Sequence, residues 1–480
     1  MSQMVRRFSF CIFILLLIGI HPLLGMNTAR AELRAGAAKV DITPALGVSL
    51  DGPISKPGPA TSVHDPLHAR ALVLEQGSTR MGIVVCDACM IDQDIFDAAK
   101  EILRREQCWA PSQLLMSATH THAAPRLAHI STEPPDEAYR HQAAQLIAQA
   151  VVLATQALSP AELGYASFER GDLLACRRQL CQPGSVEPNP FGEAGERIKS
   201  VAGRSSGVIE PAGPVDPQFS VLAVRHIGGQ PLCLLGNFSV HYCGGYEKGA
   251  ISADYFGQFC QAVESQWGNA GASSPVVGIM SNGTSGNTGS FQGYTQKFAP
   301  FEGMQYYGRM LANEALQAID GITYQRDITL AMLETELELS VRRPSPERLV
   351  WAQELLADDR AKGPHPWSRV YAAETMHLNS FPSKRKIKLQ ALRLGDVAIT
   401  ACPCEVFAET GLWIKQHSPF DKTFTIELAN GYGGYLPPRE QHQLGGYESW
   451  PARSSYLEID AEQKIRESLM GLLQQLSVGE

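Results

Sequence analysis

The chain has 480 residues, of which 44% are hydrophobic and 19% are charged. These fractions are typical of globular proteins and exclude disordered, fibrous and coiled-coil classes. With 41 basic and 49 acidic residues the formal net charge is −8, so the composition gives no electrostatic reason to expect binding to nucleic acid. At roughly 150 residues per domain, the length allows about three domains or one large α/β catalytic unit.

The first 31 residues have the pattern of a secretory signal peptide. Arg6 and Arg7 precede an apolar run over residues 10–20, and Ala29-Arg30-Ala31 offers a cleavage site flanked by small residues. The apolar run is about half of the roughly 20 residues that span a bilayer, so a membrane anchor is the weaker alternative. We therefore expect an exported protein, periplasmic or extracellular, in which residues 32–480 form a single domain.

Hydrophobic periodicity predicts strands that alternate with helices, the pattern of an α/β fold with a mixed β-sheet core flanked by helices. The expected strands cover residues 70–76, 81–86, 113–118, 219–226, 231–238, 275–280, 327–341, 387–401 (a pair joined at Gly395-Asp396) and 423–428. The expected helices cover residues 94–105 (with Asp94 as the N-cap), 136–158, 254–265, 302–319, 346–358, 405–417 and 460–475. Residues 182–217 are rich in Gly, Pro and Ser, and we expect them to form a long functional loop.

Three histidines follow apolar strands. The segment LLMSATHTHAAP contains His120 and His122, and because residues two apart share one face of a strand, both imidazoles can approach one point. His241 follows a second apolar strand, in LLGNFSVHYCGG. Each histidine is also compatible with an ordinary hydrogen-bonded role. Three histidines at strand ends nevertheless fit a zinc site, provided that a carboxylate is found as well.

Glu405, in ITACPCEVFAETG, is the candidate carboxylate. We expect it in the first turn of the helix over residues 405–417, where the helix dipole favours an anion, and the dipole alone also explains that position. Downstream, Tyr432 and Tyr435 flank a Gly-Gly pair in NGYGGY. Tyrosines in such a loop are usually packing or lid residues.

A serine lies in the glycine-rich segment VVGIMSNGTSGNTG, residues 276–289. The segment leads from a buried strand to Ser285, and its backbone amides are expected to form an anion-binding nest or oxyanion hole. The same residue types also dominate ordinary turns. The pattern is not GxSxG, so it does not support a Ser-His-Asp hydrolase.

Cysteines offer a second metal hypothesis. A CxxC pair, Cys86 and Cys89, and a CxC pair, Cys402 and Cys404, are present. Structural zinc sites usually use two CxxC knuckles, and only one occurs, so this hypothesis is the weaker one. Ten cysteines follow the signal peptide, which permits disulfides without indicating any pairing.

The motifs together resemble the neutral/alkaline (non-lysosomal) ceramidases. In chain order they are AGAAKVDITP, VVCD, SATHTH, FSVH, ISADYFG, the serine loop, PCE in place of the family's PGE, and NGYGGYLP followed by GGYE. The resemblance implies a zinc ion (Zn2+) held by four residues, His120, His241, Glu405 and Tyr435. It also implies a catalytic role for His122, substrate binding by Arg177, and the position of Ser285 as the serine of the family's GDxSPN loop.

The sequence departs from the family in two places. NGTSGN keeps the Ser and Asn of the serine loop but lacks its Asp and Pro, and the chain ends about 45 residues after Tyr435, whereas full-length members carry a further C-terminal β-domain. We therefore expect a ceramidase-like catalytic domain without that β-domain. Both departures weaken the inference of ceramide as the substrate more than the inference of the metal site.

The resemblance implies hydrolysis of the amide bond of an N-acyl substrate, either a small molecule or a lipid. The nucleophile is water activated by zinc or, alternatively, Ser285. Asp87, at the end of VVCD, is a candidate hydrogen-bond partner of a ligating histidine, and a helix-cap or turn role explains its position equally well.

Two rival functions remain open: a metal-dependent deacylase or esterase for another small amide or ester, and a zinc-binding homologue that has lost catalysis. A lipid substrate would bring the protein to a membrane surface, although no amphipathic stretch demands it. The sequence does not indicate an oligomeric state.

Overall fold

The computed structural model describes residues 31–52, 58–130, 133–200, 207–268, 275–291 and 298–478. The expected signal peptide lies outside these ranges, apart from Ala31. Within them, none of the helices combines the length and the apolar character that a membrane span requires. The assignment of residues 32–480 to a single domain stays a prediction.

The chain alternates strands and helices, as expected for an α/β protein. The strands are β1 (Leu33–Asp41), β2 (Ser62–Val63), β3 (His68–Gln76), β4 (Thr79–Cys86), β5 (Leu114–Ala118), β6 (Ser159–Glu169), β7 (Arg178–Cys181), β8 (Ile198–Ser200), β9 (Val208–Pro211), β10 (Gln218–His226), β11 (Pro231–Phe238), β12 (Ala250–Ile251), β13 (Val277–Asn282), β14 (Leu330–Ser340), β15 (Lys384–Leu394), β16 (Val397–Ala401), β17 (Glu405–Val406), β18 (Lys422–Ile426) and β19 (Tyr435–Leu436). The helices are α1 (Gln93–Gln107), α2 (Glu137–Gln156), α3 (Asp254–Gly268), α4 (Glu302–Ala318), α5 (Pro346–Ala357), α6 (Ser368–Ser380), α7 (Ala408–His417), α8 (Arg439–Leu444) and α9 (Ala461–Val478).

The central element is an eight-stranded mixed sheet with the order β13-β11-β10-β6-β1-β3-β4-β5. Its two outermost pairs, β11 with β13 and β4 with β5, are parallel, and the inner pairs are antiparallel. The sheet curls, because β13 at one edge contacts β5 at the other. The ends of the strands that precede His120, His241 and Ser285 are thereby brought to one side of the molecule.

A four-stranded sheet, β14-β15-β16-β18, packs on one face of the central sheet. The two sheets share one hydrophobic core, to which Leu72 and Leu235 contribute from the central sheet and Leu392 and Phe424 from the smaller one. Helices α1 to α4 cover the opposite face of the central sheet, and α9 covers the outer face of the smaller sheet. The prediction of a mixed sheet core flanked by helices is confirmed.

The segment that follows β18, residues 427–430, closes the gap between the two edges of the central sheet. Glu427 N–H donates to the Asn282 carbonyl at the end of β13 over 3.2 Å, and the Leu428 carbonyl accepts from Ala118 N–H at the end of β5 over 3.2 Å. Asn430 N–H donates to the Met116 carbonyl over 2.7 Å. We call residues 427–430 the bridging segment, because it hydrogen-bonds to both edge strands.

Two strands of the central sheet, β1 and β6, were not predicted. β1 is rich in alanine and glycine because α2 packs directly on it: a Cβ on Gly36 would lie 2.1 Å from the Ala154 carbonyl oxygen. Small residues serve this close approach and remove the hydrophobic alternation by which a strand is recognised. Helix α6 was also missed.

Three local expectations were wrong. Residues 182–217 are not one loop, because β8 and β9 within that range flank β7 in a three-stranded sheet. Asp94 is not the N-cap of α1; it lies in the first turn, where its carboxylate pairs with Arg140 at 2.6 Å, and Asp92 occupies the N-cap position. Glu405 lies on the short strand β17, and the helix begins only at Ala408.

Candidate functional site

His120 and His122 come together, but not through strand alternation. Strand β5 ends at Ala118, and His120 adopts the left-handed region with φ of 77°, a conformation that is uncommon for a residue with a side chain. The His120 N–H donates to the Ala88 carbonyl over 2.8 Å, which holds this turn. The two Nε2 atoms lie 3.2 Å apart as a result.

The tautomers of His120 and His241 follow from their carbonyl partners. Nδ1 of His120 lies 2.9 Å from the Cys89 carbonyl oxygen, and Nδ1 of His241 lies 3.3 Å from the Ser285 carbonyl oxygen. A carbonyl only accepts, so each Nδ1 carries the hydrogen and each Nε2 keeps its lone pair. Burial lowers the pKa of both imidazoles, most strongly for His241, which favours the neutral form.

Two Nε2 lone pairs therefore face each other across 3.1 Å between His120 and His241. With both Nδ1 atoms protonated, no hydrogen is available between these nitrogens. Such a contact between two neutral acceptors is unfavourable unless a cation lies between them. The pair is the arrangement in which a metal ion is bound by Nε2 while Nδ1–H is fixed by a backbone carbonyl.

Glu405 supplies the third donor. Its strand β17 pairs with β19 in parallel, with Glu405 opposite Tyr435, so the two side chains share one face. Oε1 of Glu405 accepts from the Tyr432 hydroxyl over 2.8 Å, whereas Oε2 is buried without a hydrogen-bond partner. That unpartnered oxygen lies 3.6 Å from His120 Nε2 and 4.0 Å from His241 Nε2.

The donor atoms of His120, His241 and Glu405 fit a metal ion. All three lie within 4.8 Å of one another and are buried. Zinc ligands 2.0–2.1 Å from the ion at tetrahedral angles are about 3.3 Å apart. The separations of 3.1, 3.6 and 4.0 Å bracket that value, and a metal ion at this point would give the unpartnered Glu405 oxygen a partner.

Tyr435, the fourth residue implied as a ligand, lies at the edge of this group. Its hydroxyl is 3.3 Å from the Tyr447 hydroxyl, and burial, followed by the nearby charge of Glu405, raises the pKa of Tyr435 well above its usual range. The guanidinium of Arg177 lies 5.3 Å from the centroids of both tyrosine rings. Its role as a ligand stays a prediction.

Arg177 is held rigidly beside the site. Its Nε donates to Glu448 Oε1 over 3.1 Å, and its Nη2 donates to the Gly286 carbonyl over 2.8 Å. Glu448, which lies in the GGYE motif, also pairs with the buried Arg178. Arg177 therefore brings a fixed positive charge to the tyrosines and the serine loop.

His122 borders the histidine pair without a carboxylate partner in the described ranges. Its ring stacks on Tyr242, with the centroids 3.9 Å apart. Burial lowers the pKa of His122 well below its usual range, followed by the effect of the neighbouring His120. A neutral imidazole beside the candidate metal ligands can accept or donate one proton.

Ser285 is bound to a residue that the sequence analysis missed, Glu427 of the bridging segment. The Ser285 Oγ and Glu427 Oε1 atoms are 2.6 Å apart, and Glu427 Oε2 accepts from Val406 N–H over 2.7 Å. Burial raises the pKa of Glu427 well above its usual range. Glu427 thus links the loop that supports His241 to the residue that follows Glu405. An acidic residue at the end of the apolar strand TFTI was the available signal.

The serine loop does not offer the predicted oxyanion hole. Several of its backbone N–H groups already donate to the protein: Gly283 to the Phe238 carbonyl, Ser285 to the Gly283 carbonyl, Gly286 to the Val406 carbonyl and Gly289 to the Ala175 carbonyl. These bonds, 2.8 to 3.0 Å long, leave those amides unavailable to a substrate. The loop is a rigid support for His241.

Two further expectations are corrected. Asp87 is not the partner of a ligating histidine: it pairs with Arg70 and accepts from the His68 N–H over 2.8 Å, whereas backbone carbonyls fill that role for the histidines. No metal-compatible cluster in the described ranges contains Cys402 or Cys404. The ten cysteines in the described ranges, from Cys86 to Cys404, are free thiols in the structure.

Strained backbone accumulates around the site. His120, Leu428, Asn430 and Asp254 all have positive φ, between 53° and 77°. Residues with side chains adopt this region at a cost of about 1 to 3 kcal/mol each, and such positions cluster at functional sites. Leu428 and Asn430 belong to the bridging segment, so the strain lies where the two edges of the central sheet meet.

Two comparisons with solved structures agree with this fold. A neutral ceramidase from Pseudomonas aeruginosa superimposes with a TM-score of 0.68 at 19% identity, over 93% of this chain and 74% of that one. A ceramidase complexed with C2 gives a TM-score of 0.69 at 18% identity, over 93% of this chain and 75% of that one. No curated protein matches the sequence.

The family comparison covers the part of the chain that carries the histidines. Residues 33–293 match the family described as neutral/alkaline non-lysosomal ceramidase, N-terminal. This range contains His120, His122, His241 and Ser285, whereas Glu405 lies beyond it. Because the match spans more than half of the 480 residues, the chain belongs to the neutral/alkaline non-lysosomal ceramidase family.

Proposed function

We propose that this protein is a zinc-dependent amidohydrolase that cleaves the amide bond of an N-acyl lipid of the ceramide type. The observation that carries the proposal is the convergence of two Nε2 lone pairs and one orphaned carboxylate oxygen, from His120, His241 and Glu405, on a single point. These are the ligand types that zinc prefers in hydrolytic sites. Family membership supports the hydrolase assignment.

The residues of the chain divide the work of amide hydrolysis. A bound zinc ion would supply a water nucleophile near neutral pH and polarise the substrate carbonyl. His122, neutral and next to the ligands, is placed to accept the proton that the attacking water loses and to pass it to the leaving amine nitrogen. Arg177, held by Glu448 and the Gly286 carbonyl, contributes fixed positive charge where negative charge develops on the carbonyl oxygen.

Ser285 is better suited to support than to nucleophilic attack. Its side chain is fully buried, and its hydroxyl already donates to Glu427 Oε1 over 2.6 Å. The Ser285 carbonyl meanwhile fixes the Nδ1–H of His241. We therefore favour water over Ser285 as the nucleophile.

The substrate class rests on the family and on one structural relative. That relative is described as a ceramidase complexed with C2, which agrees with a small lipid as the ligand of this fold. We extend this substrate class to the present chain as part of the proposal. Export to the periplasm or the extracellular space is proposed from the signal peptide pattern of the first 31 residues.

The experiment that tests the proposal combines metal analysis with a substrate panel. The purified protein should contain about one zinc per chain and hydrolyse N-acyl sphingosines, with activity lost in a chelator and restored by zinc. Short amides and esters belong in the same panel, because preference for them would favour the deacylase or esterase alternative. Zinc without hydrolysis of any member would favour the homologue that has lost catalysis. A protein that hydrolyses ceramide without metal would contradict the proposal, and an acyl adduct on Ser285 would contradict the choice of water.

A further inference from the structure

A second cavity lies beside the candidate metal site. Its volume is about 500 Å³, and its wall includes residues from the start of helix α1, from the start of strand β15 and from Gly431 and Tyr432, which follow the bridging segment. Among the described residues that line it, none is a candidate metal ligand. Sites for small molecules have volumes of about 300 to 1,000 Å³, so this cavity is large enough to hold one.

The wall of the cavity carries an unpaired guanidinium group, that of Arg385. The guanidinium carbon lies 5.2 Å from the ring centroid of Phe381 and 5.4 Å from that of Tyr456, and both rings belong to the same wall. Within the described ranges Arg385 has no ion pair and no hydrogen bond. The two aromatic rings favour a fixed position of the cation and leave its N–H donors available to a ligand.

Arg385 differs in this respect from the other charged side chains of the wall. Each of those has a partner of opposite charge: Asp92 and Asp94 pair with Arg140 at 3.3 and 2.6 Å, Asp97 pairs with Lys388, Lys386 pairs with Glu336 at 3.1 Å, and Arg453 pairs with Glu374. The described wall therefore contains one cation to which the chain supplies no counter-charge.

The neighbouring charges narrow the kind of anion that fits. A guanidinium group binds a carboxylate or a phosphate through two parallel N–H donors. The carboxylates of Asp92, Asp94 and Asp97 line the same cavity, and they would repel the second negative charge that a phosphate monoester carries near neutral pH. A singly charged carboxylate is the better match for Arg385.

The uncharged part of the wall favours an apolar group next to that carboxylate. Ile130 and Ile387 line the cavity together with the aromatic residues Phe381, Tyr432 and Tyr456. Contact with these side chains removes apolar surface of a ligand from water, which favours binding. An alkyl chain meets this requirement.

We propose that this cavity is a binding site for a monocarboxylate with an apolar chain, and that Arg385 binds the carboxylate. The ligand contacts Tyr432, whose hydroxyl donates to Glu405 Oε1, so it lies next to the candidate metal ligands without being bound by them. The acid that the proposed amide hydrolysis releases belongs to this ligand class. Only that link rests on the proposed function, since the site itself is inferred from the cavity and its charges.

Isothermal titration calorimetry with octanoate tests the proposal, with 1-octanol, octylamine and octyl phosphate as comparison ligands. The whole protein is titrated in saturating acetohydroxamate, a metal-binding compound, so that binding of octanoate to a metal ion at the candidate site does not contribute. Octanoate should bind at least about 10-fold more tightly than octanol or octylamine, the effect of hydrogen bonds between charged groups. Tighter binding of octyl phosphate than of octanoate would contradict the assignment of a carboxylate.

Two variants of adjacent residues separate a contact with Arg385 from general attraction by positive charge. Arg385→Gln should raise the Kd of octanoate about 10-fold and leave that of octanol unchanged. The matched control is Lys386→Gln, which removes a positive charge from the same wall, but one that Glu336 already pairs. It should change the Kd of octanoate by less than about threefold. Equal effects of the two variants would overturn the proposal.

A third variant tests the cavity itself. Ile130→Trp places a larger side chain in the wall and leaves Arg385 unchanged, so it should weaken octanoate binding. Unchanged binding in this variant, or no binding to the wild-type protein, would contradict the site. None of these measurements requires hydrolysis. A protein that binds octanoate through Arg385 and hydrolyses no amide fails only the proposed function, whereas a ceramide hydrolase that binds octanoate equally well without Arg385 fails only the present inference.

Discussion

The two sheets contribute to the site in different ways. The central sheet delivers His120 and His241 directly after its strands β5 and β11, on backbone that is held by the sheet edges. Strand β16 of the smaller sheet leads to Glu405, which lies on the separate two-residue strand β17. Strand β18 leads to the bridging segment, residues 427–430, which lies between the edges of the central sheet. The central sheet therefore holds the two histidine ligands in place. The segments that follow strands of the smaller sheet set the distance between those histidines and Glu405.

The candidate metal site depends on both sheets. Asn430 of the bridging segment accepts from the buried ammonium of Lys100 over 2.7 Å and donates to Gln390 over 2.8 Å, so it contacts helix α1 and the smaller sheet at once. Glu427 at the other end of the segment bonds Ser285 and Val406. Changes in either region should therefore affect the same candidate metal site, and the effects should fall with distance from it.

The largest effects are expected from removing one ligand of each region. His241→Ala and Glu405→Ala should each lower zinc affinity and amidase activity by more than about 100-fold, because even changes to the partners of metal ligands cost 10- to 100-fold. Zinc content by mass spectrometry of the purified variants, together with kcat/KM, checks this. His141→Ala, an exposed histidine on α2, is the control, and full zinc occupancy in either ligand variant would refute the site.

Variants of Tyr432 and Tyr435 distinguish a metal ligand from a residue that only holds a ligand in position. Tyr435→Phe should lower zinc affinity about 100-fold if the phenol is a ligand, as the family resemblance implies. Tyr432→Phe removes only the hydrogen bond to Glu405 Oε1 and should lower affinity about 10-fold. Competition with a chromogenic chelator measures both, and the reverse order would transfer the ligand role from Tyr435 to Tyr432.

Glu427 tests the bridging segment itself. Glu427→Ala removes its bonds to Ser285 and Val406 and should weaken zinc binding about 10-fold. Glu427→Gln keeps the shape of the side chain and an oxygen that can accept from Val406 N–H, so it should recover most of the affinity. The same chelator competition provides the measurement. Wild-type affinity in Glu427→Ala would mean that the segment does not position the ligands.

The smallest effect is a change of stability with pH at Lys100, which anchors Asn430. Burial lowers the pKa of Lys100 to about 8 from 10.5. Between these values the unfolded state binds more protons than the folded state, so this group makes stability rise with pH across the window, by about 1 to 3 kcal/mol. Below pH about 8 both states are protonated and the burial cost is constant.

Urea unfolding of the wild-type protein and of Lys100→Met at about pH 7.5 and about pH 10, near the two ends of that window, measures the difference. As the pH rises, the free energy of unfolding should increase more for the wild-type protein than for the variant. A difference that stays constant with pH would show that Lys100 keeps its usual pKa in the folded protein.

Sequence patterns predicted much of the fold and part of the site. Alternating strands and helices predicted a mixed sheet flanked by helices, and most of the expected elements lie where the structure has them. Strand β1 was not predicted because α2 packs closely on it. Gly36 and the neighbouring alanines make that packing possible, and they lack the alternation of hydrophobic and polar residues that marks a strand. The position of Glu405 was misjudged because a two-residue strand leaves no periodicity to detect.

By itself the sequence determined which side chains follow buried strands, since hydrophobic periodicity is a local property of the chain. Only the tertiary structure decided that β5 and β13 meet across the bridging segment, that His120 turns through a left-handed conformation, and that Glu405 keeps an unpartnered oxygen. These features depend on contacts between residues up to several hundred positions apart. Local periodicity carries no information about which strand edges meet or which polar atoms lose their partners.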